Sequence, residues 1–287
     1  MVARIIDGRI VSSDIKTRVR KAVQELRESN IQPCLATVLV GNNPASAIYV
    51  ESKQNDAKEV GITTRDHRLD ATFNQNELYE LVQSLNNDLT IHGILVQLPL
   101  PSHMDEFEII SALSPLKDVD GLTPYNVGML QSGAAALKPC TPSGIMQLLD
   151  YYKIDIAGMD AVIVNRSNLV GKPLLILLLE RDATVTICHS KTKGLTEKLL
   201  RADLIITAVG NRQHFTLTAN MVKEGVIVID VGMARVDGKL AGDTDFDSVK
   251  QKASWVTPVP GGVGLMTRAM LLKNTVTAAS IIREMSK

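Results

Sequence analysis

The sequence predicts an α/β protein of two lobes, with a parallel sheet in the second. Three observations carry this expectation. Strand-like apolar runs alternate with helix-length segments along most of the chain. At 287 residues the chain is too long for most single cores and fits two lobes of ordinary size. A turn-rich stretch, residues 118–142, divides one alternating region from the next.

In the first region, residues 12–29 read as an amphipathic helix, and residues 35–41 as a buried strand ending in a Gly turn. A helix over about 45–60 follows, then a short strand at 62–68 and a helix over 74–87. Residues 91–98 form a second apolar strand, which Pro99 must end because proline cannot donate to a ladder. Beyond the turn-rich stretch, Thr141 and Pro142 predict a helix start, with Thr as the cap and Pro in the first turn. The helix over 143–152 bridges the lobes. In the second region, strands are expected at 160–164, 184–188, 203–209 and 225–231, with an apolar helix at 173–181. Such alternation implies right-handed crossovers between parallel strands. A last helix over 267–285 closes the chain.

Composition excludes several classes. Lys plus Arg equals Asp plus Glu at 31 each, so no net field favours nucleic acid or a membrane surface. Aromatics are 3%, too sparse for a base-stacking surface. No apolar run is long enough to span a bilayer, and the N-terminus lacks a signal-peptide core. Cys34, Cys140 and Cys188 are far apart, and no Cys-x-x-Cys or His-Glu-x-x-His occurs, so no metal site is expected. Three lone thiols without a secretion signal predict a cytoplasmic protein.

Tyr49 and Lys53 lie four residues apart, so on a helix they share a face. An amine beside a phenol in a dry cleft can exchange protons near neutral pH. The pair alone is also compatible with a solvated Lys beside a half-buried Tyr. Short-chain dehydrogenases carry Tyr-x-x-x-Lys after the nucleotide turn; here it precedes the only turn of that kind by more than a hundred residues.

That turn is Asn165-Arg166-Ser167-Asn168-Leu169-Val170-Gly171, between a strand and a helix. A dinucleotide-binding turn belongs there, its helix N-terminus facing a pyrophosphate. The usual G-x-G-x-x-G is absent, but Asn tolerates positive φ and Gly171 allows close helix packing. A P-loop is rejected, because Pro173 follows Gly171-Lys172 where a hydroxyl is needed. The next strand ends at His189-Ser190 with no acid, which suits the 2′-phosphate of NADP rather than the free 2′-OH of NAD. Arg166 can clamp phosphate in a bidentate way.

Taken together these motifs resemble the bifunctional methylenetetrahydrofolate dehydrogenase/methenyltetrahydrofolate cyclohydrolase family. The matching runs are Val40-Gly-Asn-Asn-Pro-Ala-Ser46 with Tyr49 and Lys53, and Val96 to Pro101. Others are Lys117-Asp-Val-Asp-Gly-Leu122, Pro139-Cys-Thr-Pro142, Arg166-Ser-x-x-Val-Gly-x-Pro173, His189-Ser190, and Pro258-Val-Pro-Gly-Gly-Val-Gly264. The resemblance covers nearly the whole chain.

The resemblance implies a catalytic folate-binding lobe, residues 1–139, completed by a C-terminal helix at 265–287 that returns to it. It also implies a Rossmann-type NADP-binding lobe at 140–264, a homodimer, and one active cleft serving two reactions. A hydride leaves 5,10-methylenetetrahydrofolate for NADP⁺, and water then opens the methenyl product to 10-formyltetrahydrofolate. By resemblance Lys53 carries the proton of the hydrolytic step and Tyr49 holds the ligand. Gln97 orients Lys53 without adding charge. Asp120 accepts from the pterin ring, and Pro260, Gly261 and Gly262 bring backbone close to the folate. Asn165, Arg166, Ser167, Val170, Gly171, His189 and Ser190 are the expected cofactor residues. Three positions depart from the family: Asn165 replaces a glycine, Leu265 a proline, and Thr244 an aliphatic residue.

Overall fold

Buried apolar runs become the strands of two separate parallel sheets in the computed structural model, which describes residues 2–236 and 238–285. In chain order the elements begin with strand β1 (Arg4–Ile5), helix α1 (Gly8–Glu28), β2 (Cys34–Val40), α2 (Pro44–Val60) and β3 (Thr63–Leu69). Next come α3 (Gln75–Asn87), β4 (Gly93–Val96), α4 (Glu106–Ser111), α5 (Pro124–Gln131) and α6 (Cys140–Tyr151). The following α/β run is β5 (Asp160–Val164), α7 (Gly171–Leu179), β6 (Thr184–Cys188), α8 (Leu195–Arg201), β7 (Leu204–Thr207) and β8 (Ile227–Asp230). The chain ends with β9 (Ala234–Val236), β10 (Lys239–Ala241), α9 (Phe246–Val249), β11 (Trp255–Val256) and α10 (Val263–Met285). Among the described residues no helix is long and apolar enough to cross a membrane.

The chain forms two compact units, and neither is contiguous. One comprises Asp14–Cys140 with Arg268–Lys287; the other comprises Met1–Ser13 with Thr141–Thr267. The first thirteen residues therefore pack differently from the expected assignment to the folate lobe. The physical reason is β1, which pairs in parallel with β11 through Arg4↔Trp255 and Ile5↔Val256. Arg4 also lies over the Trp255 ring at 5.3 Å, and the Asp7 N–H donates to the Tyr152 hydroxyl at 2.9 Å.

The unit of residues 14–140 carries a three-stranded parallel sheet, ordered β3-β2-β4. Every residue of central β2 and of β4 is buried, as a strand covered on both faces requires. The edge strand β3 reads Thr-Thr-Arg-Asp-His-Arg-Leu and is mostly wet, which discourages pairing with another chain. The core under this sheet draws Val38 and Val96 from the strands, Leu78 and Val82 from α3, and Ile109 from α4. Helix α3 opens on a capping box of Asn74 and Glu77.

The other unit carries a six-stranded parallel sheet, ordered β1-β11-β8-β7-β5-β6. The order reverses at β5, with β6 on one side and β7 on the other. Open α/β sheets bind ligands at such a reversal, beyond the carboxyl ends of the strands. The expected starts of four helices lie late by a few residues. Helix α1 begins at Gly8, α6 at Cys140, α7 at Gly171 and α10 at Val263. Thr141 is thus inside its helix and not its cap, and its hydroxyl is paired with that of Thr267 at 2.8 Å.

Candidate active site

Helix α2 follows the turn at the end of β2 and presents a buried face that includes Val50, Lys53, Ala57 and Val60. Lys53 is thereby buried, with 6% of its surface exposed. Its Nζ donates to Gln97 Oε1 at 3.1 Å. Gln97 follows β4, and its N–H continues the ladder to the Val38 carbonyl at 2.9 Å. The Gln97 Nε2 donates to the Leu98 carbonyl at 2.7 Å, so the amide is oriented with its oxygen towards the amine. Tyr49, one turn before Lys53, is half-buried. Burial pushes its phenol above the ordinary value, and the Arg268 cation opposes the shift. Arg268 in turn lies 3.1 Å from Asp56 Oδ2, while Lys16 binds Asp56 Oδ1 at 2.6 Å. Asp56 is one turn beyond Lys53, so this ion cluster anchors the same helix face.

The segment bearing Asp120 is held from several directions. Lys117 is buried and donates to the carbonyls of Leu85, Asn86 and Asp88 at 3.1, 2.7 and 2.8 Å, serving the open carbonyls at the end of α3. Burial lowers its pKa, and the Asp88 charge works against that. Asp118 Oδ2 accepts from the Thr123 N–H at 2.7 Å and from Asn126 Nδ2 at 2.9 Å. The Val119 carbonyl accepts from Asn274 Nδ2 at 2.8 Å and from the Cys140 thiol at 3.3 Å. Burial pushes that thiol well above its usual value; the Asp120 carboxylate adds to the rise and Lys53 opposes it. Lys53, Gln97 and Asp120 are thus brought into one electrostatic neighbourhood around Cys140. A proton-carrying amine, a neutral orienting amide and a carboxylate can together bind a heterocycle and move a proton at it.

The other unit holds a cavity of about 300 Å³ at the sheet reversal. Asn165 and Arg166 line it from the end of β5, His189 and Ser190 from β6, and Ala208 and Val209 from β7. His214 adds another imidazole to the lining. Among the described residues, its lining includes no Asp or Glu. That donor set fits a phosphorylated nucleotide, including a 2′-phosphate.

Asn165 organises the turn. Its Oδ1 accepts from the Ser167 N–H and hydroxyl, both at 2.7 Å, and from the Gly171 N–H at 3.0 Å. Its Nδ2 donates to the Ala208 carbonyl at 2.6 Å, tying β5 to β7. A Cβ at position 171 would collide with the Asn165 carbonyl, so only glycine fits. The structure therefore brings Asn165, Arg166, His189 and Ser190 to the cavity, while Ser167, Val170 and Gly171 build the turn itself. The Ser167 hydroxyl also accepts from the Val170 N–H at 3.1 Å.

Pro260, Gly261 and Gly262 belong to the same unit as this cavity, not to the unit of Lys53. Their loop meets the N-terminal segment, where the Gly8 N–H donates to the Gly261 carbonyl at 2.9 Å. Sequence reasoning missed Asn274, Arg268 and the cavity wall at 208–209. The strand ending at Val209-Gly210 was the available signal for the last, because it neighbours the nucleotide strand.

Comparison with known proteins is decisive at this point. Residues 6–120 match the catalytic domain, and residues 139–283 the NAD(P)-binding domain, of tetrahydrofolate dehydrogenase/cyclohydrolase. This chain belongs to the tetrahydrofolate dehydrogenase/cyclohydrolase family. The "Bifunctional protein FolD" of Nitrosopumilus maritimus is 58% identical over 287 residues, covering 100% of both chains. The tetrahydrofolate dehydrogenase/cyclohydrolase fold is likewise seen in a crystal structure of the bifunctional FolD enzyme from Campylobacter jejuni. It shares 48% identity at a TM-score of 0.94, covering 97% of this chain and 99% of that one. The Trypanosoma brucei enzyme, solved with NADP cofactor and an inhibitor, shares 36% identity at a TM-score of 0.93 over 100% of both chains.

Proposed function

We propose that this chain oxidises 5,10-methylenetetrahydrofolate with NADP⁺ and hydrolyses the resulting 5,10-methenyltetrahydrofolate to 10-formyltetrahydrofolate, in one-carbon metabolism. Membership of the family supports both activities. The observation that carries the hydrolytic half is the buried Lys53 amine donating to Gln97 at 3.1 Å.

Bound NADP⁺ supplies the acceptor for the hydride that leaves the methylene bridge. The chain's own contribution to that step is alignment. Arg166, His189 and Ser190 hold the phosphate and ribose end, and Asn165 keeps the turn in shape. Asp120 accepts from the pterin N–H and amino donors, and Tyr49 packs on the ring system. In the second step, water attacks the methenyl carbon and the new C–O bond forms. The bond from that carbon to N5 breaks, N5 takes up a proton, and the carbon stays on N10 as a formyl group. The net reaction releases one proton. Lys53 carries protons between water and N5, and Gln97 holds the amine in line.

We assign folate chemistry to the unit of residues 14–140 with the C-terminal helix, and nucleotide binding to the unit of residues 141–267. Family membership also supports a cytoplasmic homodimer, which light scattering would test by mass.

Methylenetetrahydrofolate is offered with NADP⁺ or NAD⁺, and methenyl absorbance is followed as it forms and decays. NADP⁺ is expected to give the higher kcat/KM. Lys53→Met is expected to abolish decay of the methenyl product while NADP⁺ still binds. Wild-type hydrolysis in Lys53→Met would remove Lys53 from the mechanism, and equal kcat/KM for the two nucleotides would remove the phosphate-binding role of the Ser190 strand end.

A further inference from the structure

One wall of the nucleotide cavity is built by residues outside the nucleotide-binding turn. Ala208 and Val209, just beyond β7, line the cavity. The Ala208 carbonyl is held by Asn165 Nδ2. The next two amides, Val209 and Gly210, donate to the two oxygens of Asp243 at 2.6 and 2.8 Å. Asp243 is fully buried at 0% exposure, so both carboxylate oxygens serve the backbone.

Asp243 is itself held by a second buried carboxylate. Its N–H donates to Asp230 Oδ1 at 3.0 Å, and the Thr244 N–H to Asp230 Oδ2 at 2.7 Å. Asp230 also accepts from the Gly232 N–H at 2.9 Å and the Thr207 hydroxyl at 3.3 Å. A Cβ at Gly242 would collide with the Asp230 carboxylate, so the two segments approach as closely as a backbone can. Burial raises the Asp243 pKa; the Val209 N–H opposes this, and the Asp230 charge adds to it. Two neighbouring buried acids are a costly way to stabilise a fold, and apolar residues of similar volume would do so more cheaply. What they provide is orientation of specific N–H groups.

We propose that Asp243 is a positioning residue for the nucleotide, fixing the Ala208–Val209 wall of the cavity through the Val209 and Gly210 amides, with Asp230 holding it in place. The proposal rests on NADP being the cofactor. In Asp243→Asn, the side-chain NH₂ faces one of the two N–H groups, so that donor loses its acceptor. The Kd for NADP⁺ is expected to rise about tenfold, the effect of one such bond. Methenyl hydrolysis, which uses no nucleotide, keeps its kcat and KM. A parallel measurement uses the wild type alone, by amide hydrogen exchange with and without NADP⁺. The Val209 and Gly210 amides are expected to be protected before nucleotide is added, and unchanged after. Wild-type NADP⁺ affinity in folded Asp243→Asn overturns the proposal. So does protection of these amides only when NADP⁺ is present, since the nucleotide would then be ordering the wall. Failure of the wild type to bind NADP⁺ would instead overturn the cofactor assignment and the proposal with it.

Discussion

The Lys53 amine and the Gln97 amide meet at 3.1 Å, though 44 residues of chain separate them. The meeting is made by two adjacent strands, because α2 follows β2 and Gln97 follows β4, and these strands pair in register from Leu35↔Gly93 to Val38↔Val96. Gln97 cannot turn away without breaking its bond to the Leu98 carbonyl. Gln97→Leu keeps the bulk and removes the acceptor. Hydrolysis of methenyltetrahydrofolate should fall about 100-fold, the lower range for a misplaced proton carrier. NADP⁺ affinity should not move. Steady-state hydrolysis with a parallel nucleotide titration checks this, and a variant hydrolysing at the wild-type rate would deny Gln97 its orienting role.

Asn165→Gly restores the residue that the family resemblance leads one to expect, and removes four hydrogen bonds in doing so. The KM for NADP⁺ should rise about tenfold, since the turn must then be ordered by the ligand itself. The folate KM should stay constant. A lower NADP⁺ KM in the variant would mean that the asparagine restricts the nucleotide instead of preparing for it.

Thr244→Val should stabilise the protein. Thr244 is 4% exposed, and its Oγ1 has no hydrogen-bond partner among the described residues. Its backbone is already satisfied, with the N–H on Asp230. Replacing the hydroxyl by a methyl of similar size relieves a burial cost of about 1–2 kcal/mol. Thermal unfolding should shift up by about 2–4 °C. A downward shift would show that the hydroxyl is paired in solution.

Asp88 makes the acid limb of stability testable. The Thr90 hydroxyl and N–H, and then Arg65, hold its carboxyl at about 2, below the ordinary 3.8. A depressed carboxylate stabilises the folded state above its ordinary value, and that share is lost as pH falls through the folded value. Wild type should therefore lose stability between about pH 4 and pH 2, and Asp88→Asn should lose less over the same window. Denaturant melts at several pH values measure both slopes, and parallel curves would contradict the assignment.

Much of the fold was legible because burial writes itself into composition. The wholly buried β4 is an uninterrupted apolar run, β2 is one broken only by Thr37, and β5, β7 and β8 are apolar apart from one end residue each. Strands β1 and β11 have two residues each, and their pairing joins positions about 250 residues apart, so no local pattern could announce them. The short helices α4, α5 and α8 have only six to eight residues each, too few to show a helical period. Among candidate site residues, Tyr49, Lys53, Gln97 and Asp120 stood out by spacing and resemblance. Asn274 did not, because a single asparagine in a long helix looks like any solvated side chain until its carbonyl partners are known. Asp243 sits in Gly242-Asp-Thr-Asp-Phe246, where nothing local distinguishes a buried carboxylate from an ordinary turn residue.

The interleaving of the two units bears on how the chain is made. The sheet that β1 joins waits for β11, and the unit containing Lys53 waits for the part of α10 that begins at Arg268. Synthesis runs from the N-terminus, so neither unit can be completed until β11 and α10 have been made. Until then β1 has no β11 to pair with, and the unit of Lys53 lacks the helical segment that begins at Arg268.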